Sequence, residues 1–371
     1  DKLQLLIDRR EIKGTFENGT EYTIVSVALN LGKEVVRLIQ KFDFTKKNPK
    51  IVYFARNYMR RITPYCIFRA RLHRELGKMT DLSDRDYIQQ RVDYYNKLTV
   101  LDNADTFFRE STAIDRLPMT RQKVYWFDTL EYARWFPPYL RLMLLEGDIT
   151  AVPDVPCLLK SRPIAGDNAN SVLLNMDKVR HFIFIDDNMP FEHKKDMAIF
   201  RGKIDCKPNR IRFMDKFWGN QRFDLGAIDN VKAGWVKPKI SIYDQLKYRY
   251  VMALEGNDVA SDLKWIMSSN SIAVMPRPRF ETWFMEGTLI PDYHYIEVKD
   301  DFSDVEDKLG YYSSHTDEAL EIIRHAHDYV AQFRNKRRER LISLLVLDKY
   351  FSITNSYKNI MNYERHEAGV L

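Results

Sequence analysis

The chain has 371 residues, of which 45% are hydrophobic and 13% aromatic, so it can bury a large core and is not an intrinsically disordered protein. Its 58 basic and 52 acidic residues leave a formal charge of +6, which suits an anionic ligand or surface and gives no reason to expect nucleic acid as a partner. Three widely spaced cysteines without a C-x-x-C motif argue against a disulfide framework or a zinc knuckle, and they favour a reducing compartment.

The first long element is a basic helical region over residues 51–78, where six arginines alternate with aromatic and aliphatic side chains. Two interpretations of these arginines stay open, a solvated helix face and a binding surface. The arginines are Arg56, Arg60, Arg61, Arg69, Arg71 and Arg74.

Four further segments of the first half have recognisable patterns. Residues 124–128 predict a short strand, and residues 130–146 a helix interrupted at Pro137 and Pro138. Residues 147–163 predict a loop, a short apolar strand and a second loop. The apolar run 181–185, bounded by aspartates and Pro190, predicts a buried strand.

The second half alternates between strand and helix patterns. Strands are predicted at 197–202, 250–254 and 271–275, and helices at 211–218, 243–249 and 259–268. This alternation predicts βαβ units and a parallel sheet, hence the α/β class. Two amphipathic helices close the chain, and the polar stretch 186–196 is the candidate linker between two domains.

Two loops follow predicted strands in a manner that suits phosphate binding. One spans residues 200–203 and the other residues 255–261, and ligands of open parallel sheets bind beyond the carboxyl ends of the strands. A helix beginning near residue 259 would offer unpaired N–H groups to a phosphate. Gly256 would permit close backbone approach, and Arg210 and Lys264 could supply positive charge.

Residues 240–305 closely resemble glycosyltransferase family 90, which includes lipopolysaccharide, capsule and protein O-glycosyltransferases. The FRG motif at 200–202 and the D-x-P motif at 154–156 match that family in the expected order. The resemblance extends from about residue 124 to residue 304 and is closest to the bacterial lipopolysaccharide core branch.

The resemblance implies a GT-B fold, in which two Rossmann-like domains face a cleft, here with extra N-terminal helices. Residues 1–188 would form the acceptor-binding domain, residues 189–335 the nucleotide-sugar-binding domain, and residues 336–371 helices that pack back on the first domain. The implied donor-binding residues are Arg201, Gly202, Lys203, Arg210, Gly256, Asn257, Asp258, Val259, Ala260, Ser261 and Lys264.

The resemblance also implies inverting chemistry with no metal and no cofactor, in which Asp154 acts as general base. Asp148 is the rival carboxylate, and Lys160 and Arg162 are either acceptor-binding residues or surface charges. Relatives carry an arginine shortly after the serine that matches Ser261, which this chain lacks, and we expect Lys264 to substitute for it.

The implied activity is transfer of glucose or galactose from a UDP-sugar to a lipopolysaccharide core or another surface glycan. We expect a cytoplasmic enzyme at the inner face of the inner membrane, with peripheral membrane contact. The alternatives are a protein O-glycosyltransferase and a non-catalytic glycan-binding protein on the same fold.

Overall fold

The computed structural model describes residues 13–15, 21–23, 50–81, 83–229 and 233–356. The chain divides into two compact units, Asp1–Val52 and Tyr53–Leu371. In the first unit, the described strands β1 (Lys13–Thr15) and β2 (Glu21–Thr23) form an antiparallel pair. All of the following concerns the second unit, which α1 enters at Tyr53.

The helices longer than one turn are distributed along the whole of this unit, and most of the strands are short. The helices are α1 (Lys50–Ile62), α2 (Tyr65–Gly77), α3 (Arg85–Tyr95), α4 (Ala104–Glu110), α5 (Lys123–Ala133), α6 (Pro208–Phe217), α7 (Ile242–Gln245), α8 (Leu263–Met267), α9 (Val305–Ser314), α10 (Thr316–Ala331) and α11 (Lys336–Thr354). The strands are β3 (Thr112–Ala113), β4 (Arg141–Leu142), β5 (Cys157–Leu159), β6 (Ser161–Pro163), β7 (Ser171–Leu173), β8 (Lys195–Gly202), β9 (Phe223–Ala227), β10 (Tyr248–Met252), β11 (Ile272–Met275), β12 (Phe280–Thr282) and β13 (Ile296–Glu297).

The second half of the chain contains a five-stranded parallel sheet in the order β9-β8-β10-β11-β13. Successive side chains of a strand point to opposite faces. Phe200 therefore packs into the apolar cluster on one face of the sheet, and its neighbour Ile199 into the cluster on the other. Because both faces are buried, the centres of β8, β10 and β11 are apolar on both sides. The prediction of a parallel sheet in an α/β protein is confirmed.

The basic helical region is confirmed as α1 and α2, which pack against α5. Tyr53 donates a hydrogen bond to Asp128 Oδ1 at 2.8 Å, and Arg60 forms an ion pair with Glu131 at 2.7 Å. Phe68 of α2 meets the Trp135 ring edge-on with the centroids 5.3 Å apart. The inner faces of both helices are thus fixed to the body of the unit.

The last helix packs against elements from the first half of the chain. Glu339 of α11 accepts hydrogen bonds from Arg91 of α3 and from the indole of Trp283, at 2.5 and 2.6 Å. Farther along α11, Tyr350 donates to the carbonyl of Pro156 at 2.9 Å. Elements distant in sequence therefore share one buried polar network.

None of the helices in the described ranges combines the length and the apolar character that a membrane span requires.

Besides the helix start predicted at residue 259, four predictions of secondary structure are wrong. Residues 124–128 lie in helix α5, whose side chains are buried on nearly every side, so no helical period is visible. That helix ends at Ala133 instead of running to residue 146, ahead of the two prolines. Residues 181–185 form no strand, because Ile183 N–H bonds to the carbonyl of His181 and Ile185 N–H to the Ser268 hydroxyl. Residues 243–249 are not one helix, since α7 ends at Gln245 and β10 begins at Tyr248.

Candidate functional site

The strand order of the parallel sheet changes direction between β8 and β10. Counted along the chain, the sheet runs 2-1-3-4-5, so the connection leaving β8 toward β9 and the connection leaving β10 toward β11 run to opposite sides of this point. In open α/β sheets the crevice outside the carboxyl ends of such strands is where ligands bind. Here it is bordered by Gly202 at the end of β8 and by residues 253–256 after β10.

Arg210 occupies this crevice and connects its two sides. Its Nη1 donates to the carbonyl of Lys203 at 2.8 Å, its Nη2 to the carbonyl of Leu254 at 2.6 Å, and its Nε to the carbonyl of Glu255 at 3.1 Å. Burial lowers the pKa of the guanidinium, against the opposing effect of nearby carboxylates. The Arg210 guanidinium nevertheless stays cationic. An anion bound beside it would replace the stabilisation that this charge loses when burial removes its hydration water.

Two glycines make this close packing possible. A Cβ on Gly256 would lie 3.3 Å from Arg210 Nη2, and a Cβ on Gly202 would lie 3.3 Å from Arg210 Nη1 and 2.8 Å from Phe200 Cζ. Side chains at these positions would displace the guanidinium or the buried ring. The sequence prediction of both glycines at the crevice therefore agrees with their geometry.

Lys207 belongs to the same crevice and was missed in the sequence analysis. Its ammonium donates to Asn257 Oδ1 at 3.1 Å, and its Cε is 3.5 Å from the position that a Cβ on Gly256 would take. Lys207 directly precedes Pro208, the first residue of α6, on the same turn as Arg210. The combination of a proline at a helix start with two flanking basic residues is the signal that could have identified it.

The predicted helix N-terminus at residues 259–261 does not exist. The helix begins at Leu263, has five residues, and follows a series of bends. Val259 and Ala260 are buried apolar residues, and Ser261 is exposed. Tertiary contacts rather than a helical hydrogen-bond pattern hold this turn, so the argument from a helix dipole does not apply to it.

Two of the predicted donor-binding cations are already paired inside the protein. Lys264 is fully buried with its Nζ 2.5 Å from Glu286 Oε1, and Arg201 Nη2 lies 2.6 Å from Asp224 Oδ1. Asp224 also accepts hydrogen bonds from Tyr248 and Lys237, at 2.6 and 2.9 Å. A phosphate-binding role does not fit this geometry for either cation, because a carboxylate already neutralises it.

A buried lysine links the loop after β10 to the first half of the chain. Lys160, which follows β5, has its Nζ 2.6 Å from Asp148 Oδ1 and 2.7 Å from Asp258 Oδ2. Asn257 Nδ2 donates to the other oxygen of Asp148 at 3.0 Å. Burial alone would raise the pKa of Asp148, but Lys160 and Asn257 hold it below the ordinary value. The four residues form one charged cluster across the junction of the two halves.

Arg162 is a buried structural residue in this geometry, which fits neither of the two interpretations, acceptor binding and a surface charge. Its Nε donates to Glu281 Oε1 at 2.8 Å, and its other donors bond to the carbonyls of Tyr94, Tyr95 and Ser171. Its strand β6 pairs antiparallel with β12, which places Arg162 opposite Glu281. No part of the Arg162 side chain is exposed to solvent.

Asp154 lies at the opposite end of β5 from Lys160. Its backbone carbonyl accepts hydrogen bonds from Asn103 Nδ2 at 3.3 Å and from Asn170 Nδ2 at 3.0 Å, which fixes the loop. The residue is exposed. Within the described part of the chain, its carboxylate has no hydrogen-bonding or ion-pair partner. Asp148 is by contrast the carboxylate that contacts the loop after β10.

The positions of the His, Cys, Asp and Glu side chains bear on metal binding. Among residues 50–81, 83–229 and 233–356, no group of three or more His, Cys, Asp or Glu side chains is arranged to hold a metal ion. The D-x-D sequence at 84–86 lies at the start of α3. There Asp84 Oδ2 forms an ion pair with Arg338 Nη1 at 3.0 Å.

Comparison with known proteins identifies the family. The family model described as glycosyl transferase family 90 matches residues 172–368, and a model described as a YceG domain matches residues 1–63. An O-glucosyltransferase LpsA from Dichelobacter nodosus is 40% identical over 273 residues, which cover 72% of this chain and 84% of that protein. The chain therefore belongs to glycosyltransferase family 90 and is a glycosyltransferase.

Proposed function

We propose that this enzyme transfers a hexose, with glucose the first candidate and galactose the second, from a UDP-sugar to a lipopolysaccharide core or other surface glycan. The observation that carries the proposal is the crevice between β8 and β10, where Arg210 lies beside two glycines and near Lys207. Such a site suits a diphosphate. The name of the D. nodosus relative favours glucose as the sugar.

We further propose a GT-B arrangement, in which residues 189–335 bind the nucleotide sugar and residues 1–188 the acceptor, with 336–371 returning to the first domain. The contacts of α11 with α3 and with Pro156 support the last part. Lys203, Lys207 and Arg210, together with Gly202 and Gly256, would hold the pyrophosphate. We leave Lys264 and Arg201 out of this pocket because their charges are already paired.

Asp154 is the proposed general base. Its unpartnered, solvent-accessible carboxylate can accept the proton of an acceptor hydroxyl while the hydroxyl oxygen forms a bond to C1 of the sugar. The bond from C1 to the UDP oxygen breaks on the opposite face, so the anomeric configuration inverts. The leaving diphosphate takes the electron pair, and Arg210 stabilises its growing negative charge without any metal.

Asp148 is the second candidate for the base, favoured by its hydrogen bond to Asn257 in the loop after β10. Its lowered pKa and its ion pair with Lys160 make Asp148 a poor proton acceptor. Its contacts suit a different role, which is to position the loop against the first half of the chain.

The test compares Asp154→Asn with Asp148→Asn, and uses Asp102→Asn, an exposed loop aspartate, as the matched control. Transfer from UDP-glucose and UDP-galactose to core oligosaccharide is measured with a chelator present, and UDP binding by calorimetry. We expect the Asp154 variant to lose at least about 100-fold in kcat with UDP affinity unchanged, the typical scale for removal of a general base. We expect the Asp148 variant mainly to weaken donor binding.

The outcomes separate the alternatives. Loss of kcat in the Asp148 variant alone would transfer the role of base to that residue. UDP binding without turnover on any glycan or peptide acceptor would favour a glycan-binding protein, and turnover on peptide acceptors alone would favour a protein O-glycosyltransferase. Loss of all turnover in chelator would contradict metal-independent chemistry.

A further inference from the structure

The positive charge of this protein is concentrated in one short region. Residues 50–81 contain eight lysines and arginines and two acidic residues, an excess of six. The whole chain has the same excess, +6, so the remaining residues balance to zero. A charge this localised produces a patch of positive potential rather than a general solubilising charge.

Helices α1 and α2 turn only one face toward the protein. Tyr53, Phe54, Phe68 and Leu72 pack against the main apolar cluster. The opposite face carries apolar side chains that remain in water. Ile62 is 74% exposed, Ile67 43% and Met59 39%.

The most exposed of these side chains lie at a corner. Ile62 ends α1, Thr63 and Pro64 form the turn, and Ile67 lies in the first turn of α2. An isoleucine that is 74% exposed at a helix end leaves most of its apolar surface in water. The two exposed isoleucines therefore flank the turn between α1 and α2.

Four of the arginines near this corner form no ion pair within the part of the chain that the structure describes. Arg56, Arg69, Arg71 and Arg74 are exposed. No carboxylate or carbonyl in the described ranges contacts their guanidinium groups, whereas Lys78 pairs with Glu75 and Arg60 with Glu131. We define the corner surface as Met59, Ile62, Ile67, Arg56, Arg71 and Arg74, because Arg71 and Arg74 share the helix face of Ile67 and Arg56 shares that of Met59, whereas Arg69 lies on another face of α2.

We propose that the corner surface docks on an anionic lipid bilayer, with Ile62 and Ile67 entering the acyl boundary and the arginines contacting lipid phosphates. Interfacial binding draws on both buried apolar area and attraction to anionic headgroups, and this surface offers both. The aliphatic side chains distinguish a bilayer from a nucleic acid, because single strands are held by stacking on aromatic rings. The inference is independent of which sugar the enzyme transfers.

The experiment measures sedimentation of the full-length protein with phosphatidylcholine vesicles and with vesicles that also contain phosphatidylglycerol. The first variant is Arg71→Gln/Arg74→Gln. Each basic residue near an anionic surface contributes roughly a factor of five to binding, so we expect about a 25-fold lower partition coefficient. The second variant, Ile62→Ser/Ile67→Ser, should lose at least about tenfold on the anionic vesicles.

The matched control is Lys336→Gln/Arg337→Gln/Arg340→Gln, which removes three exposed basic residues from the first turns of α11. It should bind the anionic vesicles as the unmodified protein does. All variants should keep the thermal midpoint and UDP affinity of the parent, so that a folding defect or a failure of the donor site is recognised separately.

Three results would overturn the proposal. One is equal binding to neutral and anionic vesicles, and the second is a loss in the α11 control as large as that in the α2 variant. The third is tight binding of single-stranded oligonucleotide that is lost in the arginine variant while vesicle binding persists, which would assign the surface to nucleic acid.

Discussion

Lys160→Met removes one charge from the cluster that joins the two halves of the chain while it preserves most of the side-chain volume. The ammonium of Lys160 lies 2.6 Å from Asp148 and 2.7 Å from Asp258, although it is not aligned with the Asp258 oxygen for a hydrogen bond. Burial acts to lower the pKa of Lys160, but the attraction of Asp258 and Asp148 raises it above its ordinary value. The substitution therefore removes a charge that the folded state depends on.

The size of the effect follows from the exposure of the two carboxylates. Asp148 keeps 26% of its side chain in contact with solvent and can be rehydrated, whereas Asp258 keeps 6% and cannot. Removing one partner of a buried ion pair costs about 3–5 kcal/mol, mostly because the other charge is left uncompensated. Since one of the two carboxylates can recover its hydration, we expect the lower part of that range, about 3 kcal/mol.

Urea unfolding at pH 7 measures this loss directly. The double variant Lys160→Met/Asp258→Asn removes the stranded charge as well, and it should regain at least half of the lost free energy of unfolding. The control is Lys308→Met, which breaks an ion pair with Asp292 of the same 2.6 Å length but with 30% and 38% of the side chains exposed. Exposed pairs contribute about 1 kcal/mol or less.

If Lys160→Met lost no more free energy of unfolding than the Lys308 control, burial of the ion pair would not account for its stabilising effect. If Asp258→Asn did not relieve the single variant, the cost would come from packing rather than from charge. Donor binding provides a second measurement, because an unneutralised Asp258 beside Asn257 would repel a diphosphate, so KM for the UDP-sugar should rise.

Three further outcomes are expected. Gly256→Ala places a Cβ 3.3 Å from Arg210, so KM for the UDP-sugar should rise while the thermal midpoint stays near that of the parent. Gly202→Ala places a Cβ 2.8 Å from the buried Phe200 ring, and unfolding titrations should show a loss of about 1–3 kcal/mol. Burial, assisted by His325, lowers the pKa of His294 to about 4. Below about pH 6.5 the unfolded state binds this proton first, so stability should fall from pH 7 to pH 5 by about 1 kcal/mol more in the parent than in His294→Asn, after discounting for solvent contact.

The parallel sheet was predictable because its strands are buried on both faces. Such strands contain continuous apolar runs, and β8 (Met197–Phe200), β10 (Tyr250–Met252) and β11 (Ile272–Met275) have that pattern. Helix α5 has nearly the same composition and is equally buried, so a pattern based on one wet face could not distinguish it from a strand. Its length, beyond the usual range of a strand, was the remaining signal.

The site was predictable where local position determines the role, and unpredictable where a distant partner does. Gly256 and Arg210 follow strands and lie at the crevice as expected. The roles predicted for Lys264 and Arg201 could not be tested by local position. Their carboxylate partners, Glu286 and Asp224, lie 22 and 23 residues away in sequence. No local pattern indicates that an ammonium or a guanidinium will be neutralised by such a partner.

These paired charges also explain why the crevice should attract an anion. Asp258 and Glu286 would repel a diphosphate in the loop after β10, but Lys160 and Lys264 neutralise them. Lys207 and Arg210 contact the loop after β10 from the side of α6, through Asn257 Oδ1 and the carbonyls of Leu254 and Glu255. Two cations thus reach this loop from one side, and the buried Lys160 and Lys264 offset the charges of Asp258 and Glu286. A substitution at Lys160 should therefore weaken donor binding without touching the donor.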